Sequence, residues 1–225
     1  LEGQNEYSSA TLILARQALE KKEMELKENV IAQMASRNNS FALEAVGIAT
    51  DKGWLYDGSL EGVKFRNANL MRADFQSANF AGADFLSAKL TGANLRGASL
   101  YGAILVLANF EEADLLNANI TGAFLLRAKV AGANLAEANL TGANLQQADF
   151  AGTILWKANL EGADLAGANI TGANLGGANL KGVVYDDKTR WPDGFDPKSA
   201  GAINMGELSE EEMDVWQKKY RPAQQ

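Results

Sequence analysis

From Leu60 to Tyr185 every fifth residue is large and apolar, through Phe65, Leu70 and Phe75 and on to Ile170, Leu175 and Leu180 without a miss. Two residues before each, from Ala68 to Ala178, stands an alanine, and Thr153 alone departs from this. Neither the 3.6-residue period of a helix nor the two-residue alternation of a strand yields a strict five. A second period lies inside the first. Gly62, Gly82, Gly102, Gly122, Gly142, Gly162 and Gly182 recur every 20 residues, whereas a neighbouring track varies through Asn67, Ser87, Leu107, Arg127 and Gln147. Residues 20 apart therefore share one environment, and four pentads should make one turn of a coil. No turn can bury its apolar residues alone, so the turns must stack.

The pentads read Ala-Asn-Leu-Thr-Gly at 138–142 and Ala-Asp-Leu-Ala-Gly at 163–167. In this the chain resembles the pentapeptide-repeat proteins, whose motif is A-(D/N)-L-x-x. The resemblance implies an all-β solenoid, a right-handed quadrilateral (four-sided) parallel β-helix with the alanine and the large residue inward and short flanking α-helices capping the ends. Packing arguments agree, because a narrow square tube needs one small and one large inward group per side to avoid voids. Asn or Asp beside the core residue can bond to turn backbone, and glycine supplies positive φ where the chain changes side. About six and a half turns at ~4.8 Å each would give a column about 30 Å long.

The flanks read differently. Residues 10–35 carry Leu12, Ala15, Leu19, Leu26, Val30 and Met34 near one helical face, with Ser9 as N-cap. A short helix follows from Phe41 to Ala49, and Trp54 leads into the first turn. Ser209 and Glu212 form a capping box for a C-terminal helix. The expected organisation is a helical N-terminal extension and cap over 1–56, the repeat over 57–185 and a C-terminal capping loop and helix over 186–225. In the last segment Trp191 and Phe195 are expected to cover the final turn. The exit segment Tyr185–Pro197 is similar to those of family members from photosynthetic organisms.

Chemistry is scarce. The chain has no cysteine and no histidine, which removes the thiolate nucleophile, the commonest general base and the commonest metal ligand. No catalytic, cofactor-binding or metal-binding residues are expected. Asp186, Asp187, Asp193 and Asp196 do not match the spacing of a calcium loop and read as turn formers. Some relatives are DNA mimics that protect gyrase, but residues 57–185 hold 11 acidic against 9 basic residues, too balanced for a strong negative field. Nucleic acid is not an expected partner, and no apolar run is long enough to span a membrane. If Leu1 is a processed terminus, an exported compartment such as the thylakoid lumen is expected, and otherwise the cytoplasm.

One outward region breaks the motif. The Asn/Asp position becomes Ile104 and then Phe124, and nearby outward positions are Leu86, Val106, Leu107 and Leu126. Monomers rarely leave such a patch bare. It is the candidate interaction patch, covered by the N-terminal helix in cis, by a protein partner or by a second copy, or else left as ordinary exposed surface. The leading expectation is a non-enzymatic protein–protein interaction scaffold built on the β-helix. The alternatives are a structural or assembly subunit of a larger complex, which would be photosynthetic in such organisms, and a DNA-mimic gyrase protector.

Overall fold

A computed structural model describes residues 2–220, with side chains from Ala10 onward. Helix α1 runs Glu2–Met34 and α2 runs Asn39–Asp51. The repeat follows, then a parallel pair of two-residue strands, β1 Val184–Tyr185 and β2 Ile203–Asn204, and finally α3, Glu210–Tyr220.

This corrects the expected fold class. Helices of 33, 13 and 11 residues dominate the regular structure, and the only strands among the described residues are those two short ones, paired in an open sheet. The chain is not an all-β protein and does not wind a closed β-helix solenoid, and α1 is not a short flanking helix. The interaction scaffold expected on that β-helix loses its premise as well. The reason lies in the length of the pentad. Two of its five residues form a turn, and a single residue per pentad, at the Asn/Asp position, makes a bridge. A continuous strand cannot develop between corners so close together.

What the repeat does form is a stack of turns. Isolated parallel bridges join residues 20 apart, from Lys64↔Asp84 and Asp84↔Ile104 through Ile154↔Asn174. In one representative unit Leu95 N–H donates to the Asp114 carbonyl at 2.7 Å, Asp114 N–H to Ala93 at 2.9 Å, and Gly97 N–H to Leu116 at 2.8 Å. Within the pentad a tight turn closes from Ala98 N–H to Leu95. The Asn/Asp carboxyl or amide oxygen accepts the N–H two residues on, as Asn139 does from Thr141 at 3.1 Å. Those side chains thereby hold the corners.

The inward alanines and large residues are buried from layer to layer. Phe65 stacks on Phe85, 20 residues on, at 4.9 Å between centroids, while Phe75 meets Phe80 edge-on. Thr153, the one departure from alanine, is also fully buried, and its hydroxyl donates to the Val130 carbonyl at 3.2 Å. A buried hydroxyl with a partner carries little penalty.

Both ends of the stack are closed. At the start, Asn69 N–H donates to the Ser36 carbonyl and Asn79 N–H to Leu55, each at 2.8 Å, while Val30, Met34, Trp54 and Leu55 cover the first layer. Helix α1 begins at Glu2, so Ser9 lies inside it instead of capping it. Asn38 caps α2, accepting from Ser40 and Phe41. At the far end Ile170 N–H reaches the Arg190 carbonyl at 2.7 Å, and Trp191 and Phe195 stack 5.4 Å apart against the core. The Ser209–Glu212 capping box forms reciprocally, at 2.8 and 3.2 Å.

Candidate interaction face

The backbone ladder fixes where the six outward apolar residues go. Ile104 bridges Phe124 directly, on a track that continues from Asp84 below to Asn144 above. On the next corner Ser87 N–H donates to the Val106 carbonyl and Leu107 N–H to Leu126. Leu86, Val106 and Leu126 therefore occupy one track at successive layers, with Leu107 beside them. None of the six is buried: Ile104 is 36% exposed, Leu107 is 51% exposed, and the other four are half-buried.

Polar groups frame this face at both ends. Below it the Arg66 guanidinium pairs with Asp84 Oδ2 at 2.5 Å, and Asp84 Oδ1 also accepts from Leu86 N–H at 3.0 Å. Above it Gln146 Nε2 donates to Asp164 Oδ2 at 2.7 Å, and Asp164 Oδ1 accepts from Ala166 N–H. Asp84 and Asp164 are the two buried acids among the described residues. Each is satisfied by a side chain and by turn backbone, which is the condition for a buried carboxylate. The apolar stretch is thus bounded by design of the same two tracks.

Leu107 adds backbone strain. Its φ is 59°, in the left-handed region where a side chain costs about 1 kcal/mol or more. Asn67, Ser87, Arg127 and Gln147 share that conformation on the same track.

The N-terminal helix does not cover the face. Residues 10–26 of α1 are exposed, and contact with the body begins at Lys27, whose Nζ lies 2.7 Å from Asp57 Oδ2 and 5.7 Å from the Trp54 ring centroid. Burial alone would raise the Asp57 carboxyl. Hydrogen bonds from Lys27 and Ser59, together with the Lys27 charge, instead hold it at about 2.

A second contact surface was not foreseen from the residues. Helix α3 lies against the glycine track at its upper layers: Trp216 Nε1 donates to the Gly182 carbonyl at 2.7 Å, and a β-carbon on Gly142, Gly162 or Gly182 would collide with Tyr220. Lower on the same track, nothing lies within 4 Å of such a carbon at Gly62, Gly82, Gly102 or Gly122.

Two of the C-terminal aspartates, Asp186 and Asp196, hold turns, and Asp187 ties the segment to Asn204. Asp186 accepts from Gly167 N–H and the Thr189 hydroxyl, Asp187 from Asn204, and Asp196 from Ser199. Burial disfavours a charged Asp186, but these donors outweigh it and lower its pKa. Among the described residues no group of three or more acidic side chains is placed to hold a metal ion, and no helix is long and apolar enough to cross a membrane.

A family model described as pentapeptide repeats matches eight copies, over residues 59–92, 88–125, 127–156 and 143–182. Among solved structures, the chain is similar to HetL, a pentapeptide repeat protein involved in heterocyst differentiation regulation from the cyanobacterium Nostoc sp. strain PCC 7120. That likeness has 30% identity over 62% of this chain and 71% of the other, with a TM-score of 0.47. It is also similar to a pentapeptide repeat protein from the Arabidopsis thaliana thylakoid lumen, with 36% identity over 41% of this chain and 64% of that one, and a TM-score of 0.40. A third likeness, to the plasmid-mediated fluoroquinolone resistance protein QnrB1, has 18% identity over 73% and 92% of the two chains, with a TM-score of 0.42. No curated protein sequence matches the chain.

Proposed function

Because the chain belongs to the pentapeptide-repeat family, we propose that it acts as a structural or assembly subunit of a larger complex. It is not an enzyme. The observation that carries this reading is the apolar face around Ile104 and Phe124, three layers tall, framed by satisfied acids and left uncovered by the chain's own helices. A contiguous apolar patch on the order of a few hundred Å2 usually marks a protein contact. In this reading segments 1–56 and 186–225 close the ends, so the stack 57–185 offers its sides to a protein partner. The near balance of charge on the stack favours a protein surface over nucleic acid.

Native sedimentation tests it. In extract from the source organism the chain should travel with a partner in fixed ratio, well above the size of the purified protein. Phe124→Asp should return it to the purified size with an unchanged melting temperature. A wild-type chain that sediments in extract at its purified size overturns the assignment.

A further inference from the structure

The apolar side chains around Ile104 and Phe124 would accept any greasy surface, and the charges beside them narrow the choice. The track that carries Leu86, Val106 and Leu126 turns at Leu107 and Arg127 into the next one, where Lys89 bridges Asn109 and Asn109 bridges Lys129. Lys89, Arg127 and Lys129 are exposed along this one flank, and Lys64 stands at the foot of the apolar track, two layers below Ile104. On the opposite flank the corner residues are Tyr101, Thr121 and Thr141, which carry no charge. The chain as a whole is acidic, at −7, so a row of cations against this face is a local reversal of sign.

These cations have no acid of their own to hold. Among the described residues no carboxylate pairs with Lys89 or Lys129, and Arg127 directs its Nε to the neutral Gln147 side chain at 2.8 Å. The acids nearby are engaged elsewhere. Asp84 holds Arg66, and Glu111 accepts from the Asn109 amide at 3.1 Å. Glu112 stands beyond it, on the far corner of the lysine track.

We propose that the occupant of this face is an acidic amphipathic helix of the partner protein. It lies along the stack with its apolar row on Ile104, Val106, Phe124 and Leu126 and its carboxylates on Lys89, Arg127 and Lys129. The proposal rests on the assembly role and gives that partner its chemistry. Spacing supports a helix. Lys89 and Lys129 are two layers apart, about 10 Å at ~4.8 Å per layer. Acids at i and i+7 of a helix share one flank about 10.5 Å apart, and apolar residues at i, i+3, i+4 and i+7 are the usual anchors of a seated helix. An extended strand repeats one side every ~6.8 Å and matches neither the layers nor the lysine pair. An anionic membrane is the competing occupant, but nothing in a fluid lipid surface calls for cations confined to one flank and the foot.

In extract, Lys89→Glu/Lys129→Glu should lower the affinity of the chain for its complex by about tenfold or more, with an unchanged melting temperature. Lys188→Glu, an equal change of charge at the far end of the stack, should not. High salt should release the wild-type chain, because charges at the rim are screened. Retention of the double variant, with Phe124→Asp released, overturns this inference and leaves the assembly role standing. Retention of both removes the assembly role as well. The purified chain is then titrated with a fluorescent amphipathic helical peptide that carries leucine at the anchor positions and glutamate along the flank, and with the same peptide bearing lysine there. The glutamate peptide should bind about tenfold tighter or more, and the preference should vanish in Lys89→Glu/Lys129→Glu. Equal binding of the two peptides, or binding of neither, overturns the acidic assignment. So does flotation of the purified chain with phosphatidylcholine–phosphatidylglycerol vesicles that Phe124→Asp abolishes, which would give the face to a membrane.

Discussion

The Tyr220 ring occupies the space that a β-carbon on Gly162 would need. Helix α3 is anchored there by two side chains, Tyr220 against the glycine track and buried Trp216 bonded to the Gly182 carbonyl. The glycines at this corner therefore do two jobs: they accept a positive φ, 67° at Gly162, and they leave room for an aromatic ring.

The two jobs can be separated by experiment. Gly122 has the same conformation, with φ 64°, but nothing within 4 Å of a built β-carbon. Gly122→Ala should cost only the left-handed penalty, about 1 kcal/mol. Gly162→Ala should cost that and also displace Tyr220, which denaturant melts would show as a larger loss. Trp216 emission should shift to the red in the second variant alone. Equal losses would mean that α3 contributes nothing to stability.

Core layers carry most of the folding energy. Leu145 is fully buried in mid-stack, and Leu145→Ala should cost roughly 2–5 kcal/mol through lost burial and the cavity it leaves. Leu155→Ala, ten residues on and also buried, should behave alike. Losses under ~1 kcal/mol in urea melts would show that neighbouring layers collapse into the space.

Leu107 makes the opposite prediction. Its side chain is half-exposed and its φ is 59°. Leu107→Gly should raise stability by about 1 kcal/mol, since glycine takes that conformation without a β-carbon clash. The same change should weaken association through the face. A destabilised Leu107→Gly variant would show that the leucine packs within its own chain.

Acid should loosen the seat of α1. The Asp57 carboxyl sits at about 2 in the folded chain against an ordinary 3.8. A lowered folded value means that the Lys27–Asp57 pair contributes in full above pH 3.8 and is lost as pH falls through about 2. Trp54 emission, reported by its proximity to Lys27, should change across that interval. In Asp57→Asn the change should be absent, and its persistence would assign the signal to another group.

Much of this architecture was legible from residue types alone. Leu95 and Ala93 are buried, as the resemblance to pentapeptide-repeat proteins implied and packing arguments agreed, and the corner role of Asn139 follows from its short acceptor side chain. The strand content was not legible. Period five announces stacking, but it does not reveal that Asn139 bridges alone while its neighbours turn. The start of α1 was misplaced because Ser9 offers a capping oxygen whether or not the helix has already begun. Docking of Tyr220 was hidden for a different reason. Strict glycine on one track reads as a demand for positive φ, yet Arg72, Leu107 and Lys157 adopt that conformation on other corners. Conformation alone therefore did not require glycine at 162, and because the track is glycine at layers with and without a neighbour, it gave no sign of which layers Tyr220 would reach. The six residues of the candidate face were placed together by the same arithmetic, because Ile104 and Phe124 differ by one full layer. What covers them is not written in their spacing.

The bridges at a separation of 20 also set a rule for how such a chain can change length over evolutionary time. Duplicating or excising 20 residues inserts or removes a whole storey and leaves every track above it aligned. A five-residue deletion rotates everything downstream by a quarter turn. Placed between Gly142 and Gly182, it would split the glycines that receive Tyr220 between two walls. Genes for chains of this kind should therefore lengthen by quanta of one storey, and lineages that kept α3 should show none of the smaller steps between those glycines.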